Sequence, residues 1–96
     1  MLTPKQRAYL RKMAQTMSPI FQVGKNGISD QQVEQLINAL EARELIKISL
    51  LNTIPGEKQE MAEELSSRTG AEIVHLIGNK LTLYKESSKK PTIVLP

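Results

Sequence analysis

Ile20-Phe21-Gln22-Val23-Gly24-Lys25-Asn26-Gly27-Ile28-Ser29-Asp30-Gln31-Gln32 is the stretch on which the fold turns. Ile20 to Val23 reads as a short strand. Ser29 followed three residues later by Gln32 is a capping box, and Asp30 suits the positive end of the helix it opens. A strand that hands over to a helix through the five residues Gly24 to Ile28 is the first half of a crossover, whose return strand pairs in parallel. Gly24 and Gly27 leave the turn without Cβ atoms, so its backbone can approach another molecule closely. Amides at the start of the helix attract anions, which makes a phosphate the natural guest. A plainer reading is that the glycines only turn a strand into a helix, with Lys25 solvated and Asn26 tolerating the turn.

Downstream, Val33, Leu36, Ile37 and Leu40 repeat at helical spacing. Leu45 to Leu51 is a strand with Ile46, Ile48 and Leu50 on one face and Lys47 and Ser49 on the other. After a loop at Asn52 to Gly56, a helix is expected from about Glu57 to Thr69, with Met61, Ala62 and Leu65 inward and Gly70 as its cap. Ala71 to Ile77 and Lys80 to Lys85 form a hairpin about Gly78-Asn79. That turn aligns Leu76 with Leu81 and Val74 with Leu83, leaving His75, Lys80, Thr82 and Tyr84 on the opposite face. Upstream, Thr3-Pro4-Lys5-Gln6 opens a first helix with Leu10, Met13, Ala14 and Met17 as its buried stripe, ended by Ser18-Pro19. Met13, Met17 and Met61 read as core fillers.

The order α-β-α-β-α-β-β implies an α+β two-layer sandwich, a four-stranded mixed sheet with helices on one side. Residues 1–86 form one domain, and residues 87–96 a basic linker with a short apolar tail. The run Thr92–Leu95 either docks on the sheet edge or stays loose.

A chain of 96 residues with 40% hydrophobic content can bury a single core. It has no cysteine and one histidine, so no metal site is expected, and no cofactor. No nucleophile–base set stands out, and an enzyme is not expected. No apolar run approaches the roughly 20 residues that span a bilayer, and the N-terminus lacks a secretion signal. A cytoplasmic monomer with no membrane and no small-molecule substrate is the expectation.

The net charge of +3 hides a segregation. Lys5, Arg7, Arg11, Lys12 and Lys25 are the only charged groups in residues 1–29; residues 30–72 carry an acidic excess; residues 73–96 are basic again. On a helical projection Arg7 and Arg11 flank one side of the apolar stripe, Lys5 and Lys12 the other. Such a distribution steers a polyanion. No helix is long enough to fork into a DNA groove, so RNA fits better, held by phosphate geometry and shape. With only Phe21, Tyr9 and Tyr84 as aromatics, a base-stacking sheet is not expected. The candidate RNA-binding set is Gly24, Lys25, Asn26 and Gly27 with Lys5, Arg7, Arg11 and Lys12. The alternative is a protein-interaction module using the acidic helices, with Glu60, Glu63 and Glu64, or the outer face of the sheet.

The residues Leu2, Thr3, Gln6, Arg7, Leu10 and Arg11, the run Pro19 to Ile28, Glu44 to Ile48, Ile77 to Tyr84 and the ending Lys90 to Pro96 resemble the CRM domain (chloroplast RNA splicing and ribosome maturation) in its stand-alone bacterial YhbY-like form. The resemblance implies a fold similar to the C-terminal domain of bacterial translation initiation factor 3. It also implies RNA binding through the G-x-x-G loop, here Gly24-Lys25-Asn26-Gly27, and nearby basic residues. Single-domain bacterial members are linked to precursors of the large ribosomal subunit, which points to ribosomal RNA as the partner.

Overall fold

The computed structural model describes residues 2–24, 28–51 and 55–96. Along the chain run α1 (Pro4–Ala14), β1 (Phe21–Val23), α2 (Asp30–Arg43), β2 (Leu45–Leu50), α3 (Pro55–Thr69), β3 (Glu72–Ile77) and β4 (Lys80–Tyr84). Both expected capping boxes form: Gln6 N donates to Thr3 Oγ1 at 3.1 Å, and Gln32 N to Ser29 Oγ at 3.1 Å, each answered by the glutamine side chain. α3 begins at Pro55, ahead of the expected Glu57, because proline suits the first helical position, where no N–H is needed. Gly70 closes α3 with φ at +76°.

The strands lie in the order β1-β2-β4-β3. β1 and β2 are parallel, as the crossover through α2 requires, with Val23 opposite Leu50. β4 enters between β2 and β3 and is antiparallel to both, so β2 and β3 point the same way without touching. The hairpin register holds at Leu76 opposite Leu81, but a bulge between Ile73 and His75 makes Ile73, not Val74, the partner of Leu83. The extra residue turns Val74 to the other face of the sheet.

Side-chain alternation then builds two cores. Ile46, Ile48 and Leu50 of β2 and Leu81 and Leu83 of β4 pack with Leu36 and Leu40 of α2 and Ala62 and Leu65 of α3. On the opposite face Leu45, Val74 and Tyr84 meet Leu10 and Ala14 of α1, together with Leu2. The expectation of helices on one side therefore holds for α2 and α3 and is corrected for α1. The sheet is sandwiched, because Leu45, Tyr84 and the displaced Val74 make an apolar patch that needs its own cover. Met17 borders that patch, whereas Met13 is 36% exposed and is no core filler.

The tail docks. Ile93 and Leu95 pack against the α1-side core. Their anchor is Glu44, which is 1% exposed and sits at the end of α2 with φ at +66°, a conformation costing a side chain about 1 kcal/mol or more. Its carboxylate accepts from Ser87 N at 2.8 Å, Thr92 N at 2.6 Å, Thr92 Oγ1 at 2.9 Å and Ile93 N at 2.8 Å. Its neighbour one turn earlier, Glu41, accepts from Ser88 N at 2.6 Å and Lys89 N at 3.2 Å. Burial pushes the Glu44 carboxyl up, but the donors from Ser87, Ile93 and Thr92 outweigh it and hold it down at about 2, against an ordinary value of 4.5.

The native chain therefore binds fewer protons here than the unfolded chain does. The stabilisation is complete above about pH 4.5 and is lost as the pH falls towards about 2. Glu44→Gln, which places an amide donor against this nest of donors, is expected to cost roughly 2–4 kcal/mol in urea unfolding at pH 7. It should also flatten the acid limb of the stability profile. An acid limb as steep in the variant as in the parent would contradict the role assigned to Glu44.

Candidate nucleic-acid interface

α1 and the tail cover only half of the second sheet face. The uncovered half follows from register. Lys47, Thr82 and His75 form one row across β2, β4 and β3, and Ser49, Lys80 and Ile77 form the next. β1 extends both rows, since Gln22 pairs with Ser49 and Ile20 N donates to Lys47 O at 2.9 Å. The C-terminal turn of α1 forms a wall. The result is a hollow of about 330 Å³ lined by Arg11, Ala14, Gln15, Lys47, His75, Ile77, Lys80 and Thr82.

Among the described residues no carboxylate lines this hollow. Lys80 Nζ donates to Ser49 Oγ at 2.8 Å, which uses one of its three N–H bonds and leaves two for a ligand. Arg68 pairs with Asp30 at 2.6 Å and with Glu64 at 3.0 Å, and none of these three lines the hollow. Arg11, Lys47 and Lys80 pair with no carboxylate among the described residues, which leaves their charge available to a ligand in the hollow.

Gly24, the first residue of the G-x-x-G segment, follows β1 at the same end of the sheet. Val23 pairs with Leu50, and Leu50 N donates to Asn79 O at 2.7 Å, so the exit of β1, the end of β2 and the β3–β4 turn lie side by side. Gly24 stands about 10 Å from β4, two strand spacings away. A Cβ built on Gly24 would meet nothing within 4 Å, so this corner is open. Lys25, Asn26 and Gly27 lie outside the described residues. Beyond them Arg68 of α3 donates to Ile28 O at 2.8 Å and ties the far side of the turn to the body of the molecule. The start of α2 contributes less to anion binding than its sequence suggests. The amides of Ser29 and Gln32 are occupied within the capping box, and the Asp30 carboxylate sits in the first turn.

The match to known proteins is as broad as this geometry. The family model described as the CRS1 / YhbY (CRM) domain matches residues 2–85. The chain belongs to the CRM domain family. A Bacillus subtilis protein named "Probable RNA-binding protein YqeI" is 47% identical over 96 residues, covering 100% of both chains. A Haemophilus influenzae protein named "RNA-binding protein" is 31% identical over 88 residues, covering 92% of this chain and 89% of its own. The solution structure of the hypothetical protein SAV1595 from Staphylococcus aureus superposes with a TM-score of 0.86 at 45% identity, over 100% of both chains.

Within this CRM domain the α1 cations separate by role. Arg11 joins the hollow. Arg7, one turn earlier on the same flank, donates through Nη1 to Ile73 O, so its fork holds α1 to β3. Lys5 and Lys12 are exposed on the other flank, away from the hollow. Lys47, Lys80, His75 and Thr82 were not among the site residues expected from sequence, although the alternation of β2 and the hairpin register had placed them on one face. From the sequence, the outer face of the sheet is assigned only to the alternative, a protein-interaction surface. Tyr84 packs in the α1-side core, where burial and then the Glu44 charge raise its hydroxyl pKa.

Arg7→Ala should lower stability by about 1–2 kcal/mol in urea unfolding, because it removes a charged donor from a part-buried carbonyl. Arg11→Ala should change stability by no more than ~0.5 kcal/mol, as for other surface positions. Equal losses in the two variants would contradict this division.

Proposed function

We propose that this CRM domain is a non-enzymatic RNA-binding protein, a ribosome assembly factor that holds ribosomal RNA of the large-subunit (50S) precursor and acts in the cytoplasm as a monomer. The observation that carries the reading is the cluster of cations Arg11, Lys47 and Lys80 without ion-pair partners among the described residues, which lines the open half of the sheet next to the exit of β1 at Gly24. Gly24 and Gly27 let the main chain approach the sugar–phosphate strand, Lys25 neutralises a phosphate, and Asn26 offers amide hydrogen bonds. Arg11, Lys47 and Lys80 continue the track over the sheet, with Lys5 and Lys12 extending the field from α1. The printed names of the Bacillus and Haemophilus relatives support RNA as the ligand class. Among the described residues no helix is long and apolar enough to cross a membrane.

A second reading uses the hollow on α3 lined by Glu57, Glu60, Met61 and Glu64, which would suit a basic protein partner. Retention of a protein partner after nuclease treatment would favour it.

Titration of the protein against structured ribosomal RNA fragments at several salt concentrations tests the main reading. Three to five phosphate contacts predict that log K falls against log salt with a slope of roughly −2 to −4. The Lys25→Ala, Arg11→Ala double variant should bind more weakly and reduce the magnitude of that slope by about 1.5. Unchanged affinity in the double variant would remove the proposed site.

A further inference from the structure

The hollow beside α1 has a chemistry that phosphate binding alone does not use. Beside its cations it is lined by Ala14, Ile77, His75 and Thr82. Ile77 is 64% exposed although it is a large apolar residue. Thr82 is the reverse, a polar residue only 3% exposed that lines the hollow and whose hydroxyl makes no side-chain hydrogen bond among the described residues. A hydroxyl with no protein partner at the lining of a hollow is a polar edge available to a guest. His75, its cross-strand partner, brings a flat ring and a second polar edge to the same place.

Taken with its size, this arrangement has a specific guest. At about 330 Å³ the hollow lies near the lower end of small-molecule sites, which span roughly 300–1,000 Å³. It suits one nucleoside and is too small for a stacked run. A base turned out of a folded RNA would rest between Ile77 and His75 and meet the Thr82 hydroxyl with one polar edge. Its own phosphate and the next would fall among Arg11, Lys47 and Lys80. We infer that the hollow formed by Ala14, His75, Ile77 and Thr82 receives a single unpaired nucleobase of the bound RNA, with Arg11, Lys47 and Lys80 holding the adjoining phosphates. The inference rests on the RNA-binding reading and adds a selectivity that phosphate contacts cannot supply, since those position a nucleic acid without reading its sequence. Sequence-specific RNA recognition is achieved at loops and bulges, whose bases can be splayed out and hydrogen-bonded. One pocket of this kind needs no aromatic platform, so the low aromatic content is no obstacle.

The test compares two RNA hairpins that differ only by one bulged 2-aminopurine, titrated with the full chain by anisotropy and by 2-aminopurine emission. The wild type should prefer the bulged hairpin by at least about tenfold, the lower end of one hydrogen bond plus one stacked base. It should also change the emission of the bulged base. Thr82→Val keeps shape and strand preference while deleting the hydroxyl, and His75→Ala removes the ring. Either should cut the preference for the bulged over the paired hairpin to about twofold or less. Circular dichroism confirms the fold of each variant.

Equal binding of the two hairpins by the wild type overturns the inference and leaves RNA binding intact. A bulge preference that survives both substitutions also overturns it. Failure to bind either hairpin strikes at the proposed function itself, and the pocket falls with it. Adenosine monophosphate serves as the control for a free-nucleotide site: binding as tight as that of the bulged hairpin would overturn the assignment to RNA, and weak binding supports it.

Discussion

Side-chain alternation along the antiparallel pair β2 and β4 is the constraint on which the rest of the molecule depends. Leu45 opposite Tyr84, Lys47 opposite Thr82 and Ser49 opposite Lys80 share one face, while Ile46 with Leu83 and Ile48 with Leu81 share the other. The second set is apolar throughout and takes α2 and α3. The first set changes character along its length. It is apolar at the Leu45–Tyr84 end, which α1 covers, and polar at the Ser49–Lys80 end, which stays open. A slip of one residue would exchange every side chain between faces. Core and candidate binding surface are therefore two consequences of a single register.

Covering half of a face creates a problem at the seam, and Glu44 resolves it. At the junction of α2 and β2 the chain has a positive φ, and Glu44 O accepts from Lys85 N at 2.9 Å, joining this corner to the end of β4. The buried carboxylate gathers the N–H groups of Ser87, Thr92 and Ile93 and so bends the tail back over α1. Ionic burial of this kind stabilises only when the lone pairs are satisfied, and here the tail supplies the donors. The arrangement closes the apolar end of the sheet and leaves the cationic end accessible.

Much of this was legible in the chain. The capping boxes, the crossover, the hairpin turn and the Leu76–Leu81 pairing are local events driven by side chains within a few residues of one another. What sequence reasoning missed is long-range. The bulge that turns Val74 over has no local marker, and without it the second apolar patch is one residue short and α1 looks free to join the other helices. Glu44 reads as an ordinary solvated acid near a helix end, because its donors lie some forty-three to forty-nine positions away. The candidate site divides in the same manner. Gly24 and Arg11 follow from the glycine turn and the basic first helix. Lys47, His75, Lys80 and Thr82 become a site only when three strands lie side by side.

The most direct measurement is an amide chemical-shift titration of the labelled protein with a structured ribosomal RNA fragment. The account predicts that the strongest perturbations fall on Gly24, Arg11, Gln15, Lys47, Lys80 and Thr82, a continuous surface from the exit of β1 across the open half of the sheet. Perturbations centred instead on Glu57 to Glu64 of α3, with those residues silent, would contradict it.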